Sequence, residues 1–252
     1  MGLGASMRRG VRVAAALSFA AVCLISCNCV TAGPARADDD DEAHFILFSG
    51  RDIWRNGIFA HGGVIYAPGG FEDDGLLFKV LLSGGVYRYF SGATGERIYG
   101  VENTVQVLPG WRVKRGDFEA KVFMGPDFEQ HWLWPNDPSN NLRGRSFGLR
   151  IAVDFWYEPT PSSMAAMDFT MATASASSYL RAAVGWRVID EQFYFGPEIA
   201  YFGTDGYRQF RLGGHFTAMK TGNMEWTAAN GWALDTDRQS SPYVRLNMSQ
   251  KM

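Results

Sequence analysis

Arg145-Ser146-Phe147-Gly148-Leu149-Arg150-Ile151-Ala152-Val153-Asp154-Phe155 is the stretch that decides the fold. Phe147, Leu149, Ile151, Val153 and Phe155 are apolar, while Ser146, Gly148, Arg150, Ala152 and Asp154 between them are small, polar or charged. A period of two puts these sets on opposite faces of a strand, one oily and one charged. Working outward, the chain from Phe45 onward breaks into about twelve such segments, separated by clusters of Gly, Asn, Asp, Ser and Pro. No helical pattern is available to cover the oily faces. The expectation is therefore an all-β fold, an antiparallel up-and-down β-barrel of about 12 strands (10 to 14) of the outer-membrane type.

Turn signals set the boundaries. Asn56-Gly57 predicts a tight hairpin between strands at 45–54 and 58–67. Further strands are expected at 76–90, 98–112, 118–131, 145–157, 164–173, 178–188, 192–202, 207–219, 224–234 and 242–248. Pro159 and Pro161 are expected to stop the sixth, because proline cannot donate to the ladder. The longest loop candidate runs from Trp134 to Asn141. Segments of about ten residues suit tilted strands crossing a bilayer, and an even strand number brings both chain ends to one side. Trp54, Trp111, Trp132, Trp134 and Trp156 near strand ends fit an interfacial girdle.

The first 37 residues read as a secretory signal peptide, with Arg8, Arg9 and Arg12 ahead of an apolar run from Val13 to Ile25. Ala35-Arg36-Ala37 offers a small-x-small cleavage site. The rival is lipoprotein processing at Cys27, within Leu24-Ile25-Ser26-Cys27. Residues 38–44 then form an acidic segment and 45–252 the barrel domain. Cys23, Cys27 and Cys29 all lie in the leader, so cleavage at Ala37 leaves no thiol for a disulfide, a zinc site or catalysis. Removing the four leader arginines leaves 20 basic against 26 acidic residues and moves the formal charge from −2 to −6, which argues against a nucleic-acid partner. The expected location is the outer membrane of a Gram-negative bacterium, with membrane lipid as one partner.

Projecting the segments onto two faces gathers Lys79, Lys121, Arg150, Arg181, Arg187, Arg211 and Arg245 with Glu102, Glu119, Asp154, Asp168, Glu198 and Glu225. Near-cancelling charge fits a paired network in a barrel interior, or a polar substrate-conducting lumen. His215 shares that face, and a short turn at Thr221-Gly222-Asn223 brings Glu225 within its range as an acid–base partner; no serine nucleophile accompanies them. His131, Trp132, Trp134 and Asp137 form a possible glycan-facing loop, since indole rings stack on sugars. His44 and His61 have no metal-ligand spacing, and no cofactor or metal is expected. Gly84-Gly85 and Gly213-Gly214 inside strands mark bends or close packing.

Five motifs in order carry a family resemblance: Phe48-Ser49-Gly50-Arg51-Asp52-Ile53-Trp54-Arg55-Asn56-Gly57, Gly84-Gly85-Val86-Tyr87-Arg88-Tyr89, Leu108-Pro109-Gly110-Trp111, Gly196-Pro197-Glu198 and Tyr207-Arg208-Gln209-Phe210-Arg211-Leu212-Gly213-Gly214-His215. From about Phe45 onward the chain resembles the cellulose biosynthesis protein BcsS family of alphaproteobacteria. The resemblance implies an envelope protein associated with cellulose production, with cellulose or another β-glucan and the synthase or export components as partners. It implies no catalytic residues. A lipid- or polysaccharide-modifying barrel enzyme using His215 or His131, and a soluble periplasmic β-sandwich binder, are the competing readings.

Overall fold

The computed structural model describes residues 43–189, 192–236 and 239–252; the leader, both processing sites and most of the acidic segment lie outside them. Twelve strands follow in order: β1 (Phe45–Trp54), β2 (Gly57–Tyr66), β3 (Gly75–Ser91), β4 (Glu96–Arg115), β5 (Phe118–Trp134), β6 (Gly144–Thr160), β7 (Ser163–Ala172), β8 (Ser177–Val188), β9 (Phe193–Thr204), β10 (Tyr207–Thr221), β11 (Met224–Asp235) and β12 (Ser240–Lys251). Each pairs antiparallel with its sequence neighbour, and β1 closes on β12 through pairs such as Gly50 with Asn247. Closure leaves no sheet edge, so every strand satisfies its backbone groups on both sides, as a lipid environment demands. Among the described residues no helix is long and apolar enough to cross a membrane.

The alternation that decides the fold turns the barrel inside out relative to a water-soluble protein. Phe147, Leu149 and Ile151 of β6 point outward and are 75 %, 55 % and 41 % exposed, as are Leu212 on β10 and Val244 on β12. Glu198, Arg211 and Arg245 face inward and are buried. An apolar belt around the whole circumference is stable only against lipid. Trp111, Trp186 and Trp232 lie in this outer face, each more than half its surface uncovered or close to it. Trp54 and Trp156, expected in the girdle, instead line the interior cavity.

Three expectations are corrected in detail. The first hairpin turns on Arg55 and Asn56, with Trp54 paired to Gly57, one residue earlier than Asn56-Gly57. Gly57 is needed in the strand because the Trp54 ring lies over it, where a Cβ would collide. Strand β6 runs through Pro159 to Thr160; its register with β7 shifts between Tyr157 and Thr160, so the proline sits where the ladder is already broken. Finally, β3 to β6 have 17 to 20 residues each and rise past their neighbours, beyond the ten that cross a bilayer.

The two ends of the lumen differ. At the end holding Phe45 and Lys251, the 67–74 connection tucks inward and buries Ala67 and Phe71 against Ile65, Leu77, Leu108, Phe123 and Ala152. Arg112, 1 % exposed, holds it there by donating to the carbonyls of Phe71 and Asp73 and by stacking on the Phe71 ring at 5.5 Å. Met164, Ala166 and Tyr194, with Trp156 beside them, fill the opposite wall at the same end. Burying a ring such as Phe71 is worth roughly 1.5–3 kcal/mol, more than the ordering of one short turn residue costs. A cavity of about 1070 Å³ opens at the far end, among the 92–95, 135–143 and 205–206 connections, and reaches down the lumen as far as Glu119, Glu225 and Ser249.

Candidate functional site

Charged side chains fill the middle of the lumen in paired clusters. Glu198 (β9) accepts from Arg181 (β8) at 2.6 Å and from Arg245 (β12) at 2.5 Å, and Arg181 also reaches Asp168 (β7) at 2.8 Å. Tyr179 accepts from Arg245 at 3.1 Å. Arg211 (β10) grips both oxygens of Asp52 (β1) at 2.8 Å and stacks over Trp54 and Tyr243. Lys79 meets Asp154 at 3.8 Å, Lys121 meets Glu119 at 3.0 Å, and Arg187 meets Glu158 at 4.0 Å. Arg150 bridges Asp127 at 2.9 Å and Glu129 at 3.0 Å. Among the described residues Glu102 makes no ion pair with a lysine or arginine and sits beside His131, and Glu225 lines the cavity.

Asp52, Asp127, Glu129 and Glu158, and Arg112 through Glu119 at 3.7 Å, belong to these clusters without having been singled out in the sequence. Asp127, Glu129 and His131 follow at period two on β5 and were legible as one inward row. Asp52 and Glu158 sit near strand ends, where the face assignment is weakest. Breaking one partner from such a buried pair costs more than the pair contributes, because the orphaned charge stays desolvated.

The open end holds a different device. Trp54, Phe59, Tyr87 and Tyr89 run along the wall as stacked rings, with successive centroids 5.5, 6.3 and 6.3 Å apart and interplanar angles of 13 to 21°. The register explains it: Trp54 is paired with Gly57, Phe59 with Gly85 and Tyr87 with Gly100. A Cβ on any of these glycines would collide with the facing ring. Each ring therefore lies flat on bare backbone of the next strand and turns its other face to the cavity. Gly85, one of the intra-strand glycines noted in the sequence, is a close-packing glycine that makes room for a ring.

Hydrogen-bonding groups surround this strip. Tyr89 donates to Asp137 Oδ2 at 2.9 Å and accepts from Asn140 at 2.8 Å. Asp137 also accepts from the backbone N–H and hydroxyl of Ser139, at 3.1 and 2.6 Å, and these bonds hold its carboxyl below the ordinary carboxylate range. The 135–143 loop is thus pinned over the aromatic strip. It does not form the glycan-facing patch expected from the sequence. His131 and Asp137 are buried and line the cavity, whereas Trp132 alternates onto the outer face and Trp134 does not line the cavity.

Nor does the acid–base pair assemble. Glu225 stands opposite Lys220, five residues along β10 from His215, roughly 17 Å at strand rise. His215 is fully buried with both ring nitrogens engaged, one with Thr217 Oγ1 at 2.8 Å and one with the Val184 carbonyl at 3.0 Å. It packs the wall. His44 bonds the Ala67 carbonyl at 2.9 Å near the chain ends. His131 is the histidine set among carboxylates: its ligand atoms lie within 4.8 Å of those of Glu102 and Glu129. A search for closely spaced ligands along the chain misses this trio, because Glu102 and His131 meet by cross-strand register.

The sequence profile described as cellulose biosynthesis protein BcsS matches residues 46–252, nearly the whole of the described barrel. The chain belongs to the BcsS family. No functionally curated protein matches this BcsS chain. Among solved structures, the BcsS barrel is similar to the KdgM porin, with 10% identity and a TM-score of 0.45 over 82% of this chain and 99% of that one. It is also similar to the translocator domain of the autotransporter NalP from Neisseria meningitidis, with 9% identity and a TM-score of 0.45 over 97% and 98% of the two chains. The transport unit of the autotransporter AIDA-I from Escherichia coli follows at 8% identity and a TM-score of 0.44, over 92% and 97%.

Proposed function

We propose that this BcsS protein is a non-enzymatic outer-membrane accessory of cellulose export, which holds a glucan chain at the lumen mouth opposite the chain ends. The observation that carries the reading is the aromatic strip of Trp54, Phe59, Tyr87 and Tyr89, with ring faces turned to the cavity beside Asn56, Asp137 and Asn140. A β-glucan presents flat C–H faces and equatorial hydroxyls, and a ring platform with polar neighbours complements both. Membership of the family supports the choice of glucan. The apolar packing around Phe71 and Phe123 at the other end favours an anchor or surface organiser over an open conduit. In this reading the leader is removed after Ala37 in a Gram-negative envelope, lipid surrounds the apolar belt, the strip faces outward, and export components are the protein partners.

The test is calorimetric titration of the detergent-solubilised barrel with cellohexaose. Binding is expected, and Phe59→Ala or Tyr89→Ala should each weaken it about tenfold, the equivalent of ~1.4 kcal/mol for one lost ring contact. Gly100→Ala keeps every ring yet pushes Tyr87 off the wall, and should weaken binding comparably. No binding, or binding indifferent to all three substitutions, refutes the reading.

A further inference from the structure

We propose that Glu102, Glu129 and His131 form a binding site for one divalent transition-metal ion of the zinc type, set in the lumen wall beside Tyr87. Glu102 on β4 and His131 on β5 are directly paired in register, and Glu129 lies two residues before His131 on the same face. One ligand atom from each lies within 4.8 Å of the others. Glu129 Oε2 and His131 Nε2 are 3.5 Å apart, close to the roughly 3.4 Å edge of a tetrahedron with ~2.1 Å metal–ligand bonds.

A second observation points to a ligand. His131 is 4 % exposed, yet its Nε2 is buried and has no hydrogen-bond partner among the described residues. Its other nitrogen, Nδ1, lies 3.0 Å from Tyr87 Oη. With Nδ1 protonated and donating to that oxygen, the ring is oriented and the Nε2 lone pair is left free, the arrangement that outer hydrogen bonds impose on metal-binding histidines. The carboxylates are steered likewise. Thr104 donates to Glu102 Oε1 at 3.2 Å, and Ser175 and Arg150 both donate to Glu129 Oε1 at 3.0 Å, leaving the second oxygen of each for the ion.

Charge agrees with the geometry. Asp127, Glu129 and Glu102 bring three carboxylates to this part of the wall, and Arg150 ion-pairs with the first two. Asp127 Oδ1 is a further buried oxygen without a hydrogen-bond partner among the described residues. Uncompensated buried charge is costly, and a divalent cation removes the excess. One imidazole and two carboxylates favour zinc and its neighbours over calcium, which takes oxygen alone. Glu102 lines the cavity, so water can reach the site and complete the coordination.

The experiment uses the full barrel in detergent, stripped with chelator and titrated with Co²⁺ and then Zn²⁺. One Co²⁺ per chain should bind, with visible bands that Zn²⁺ abolishes. Both Glu102→Gln and His131→Gln should weaken binding at least about hundredfold, and Tyr87→Phe, which keeps the aromatic strip, about tenfold or more. A wild-type barrel whose Co²⁺ spectrum stays that of the aqueous ion overturns the proposal, and this needs no variant to fold. Uptake equally tight in Glu102→Gln and His131→Gln, with both shown to be folded by heat-modifiable gel mobility, overturns it as well. None of these outcomes depends on cellohexaose binding.

Discussion

The two ends of the lumen use the same local device to opposite effect. At the open end Phe59 lies on Gly85 and Tyr87 on Gly100; at the closed end Phe123 lies on Gly110. In each case a glycine on the neighbouring strand lets a ring lie flat against the wall. What differs is the other face of the ring. Phe123 is fully buried, packed in the cluster that holds Phe71 and covered by Lys79 at 5.0 Å. Phe59 and Tyr87 remain half-buried beside the cavity. Placement is thus a property of the strand pair, whereas use is decided by whether a connecting segment folds in on top.

The largest effect expected from this contrast is on stability. Phe123→Ala should cost about 3–5 kcal/mol, because it empties a closed core that cannot collapse around the loss. Phe59→Ala, whose ring is already half in water, should cost about 1 kcal/mol or less while abolishing its share of glucan binding. Urea unfolding of the barrel in micelles, followed by gel mobility, measures both. Equal costs at the two positions would erase the distinction between a packed end and a binding end.

A smaller effect tests what keeps the closed end closed. Arg112→Leu removes the donors to the carbonyls of Phe71 and Asp73 and leaves Glu119 without one of its two cations. Freed buried carbonyls cost about 1–3 kcal/mol, enough to let the 67–74 segment swing out for part of the time. Single-barrel conductance across a planar bilayer should then rise above that of the wild type. Unchanged conductance would mean that the Arg181–Glu198–Arg245 cluster, and not the tucked segment, limits passage through the lumen.

Legibility in the sequence follows the range of the interactions. Strand number and facing were readable because they depend on period two alone, as in Phe147 to Phe155. Turn position was readable only to one residue, since the choice between Arg55-Asn56 and Asn56-Gly57 is made by a Trp54 ring that needs Gly57 beneath it. The inward charges were readable as a set, but their partners were not. Arg211 finds Asp52 three strands round the barrel and 159 positions away in the chain, and Arg112 spends its charge largely on backbone carbonyls. The aromatic strip was hidden for a similar reason, because its logic is a series of ring–glycine pairs across three ladders. By contrast, His131 and Trp132 drew notice as neighbours in sequence, although adjacent residues on a strand face opposite ways.

The smallest effect concerns the loops that cap the two ends, each tied by a carboxylate. Asp74 at the closed end accepts from the Lys114 backbone N–H at 2.7 Å and from Arg115 at 2.6 Å, and these lower its pKa in that order. Asp137 at the open end is lowered first by its bond from the Ser139 hydroxyl, with Tyr89 contributing. A depressed carboxylate stabilises in full above its unfolded value, about 3.9, and the contribution is lost as pH falls through the folded value. Acid should therefore loosen both loops, with little change above pH ~4. Salt should separate them. Asp74 is exposed and tied to a guanidinium, and raising ionic strength from about 0.1 to 1 M shortens the screening length from ~10 to ~3 Å. Asp137 is buried beneath neutral donors. At neutral pH, the exchange protection of the Lys114 amide should fall with added salt, while that of the Ser139 amide stays constant. If the two amides respond alike, the caps are electrostatically equivalent, and the contrast between the ends rests on the rings alone.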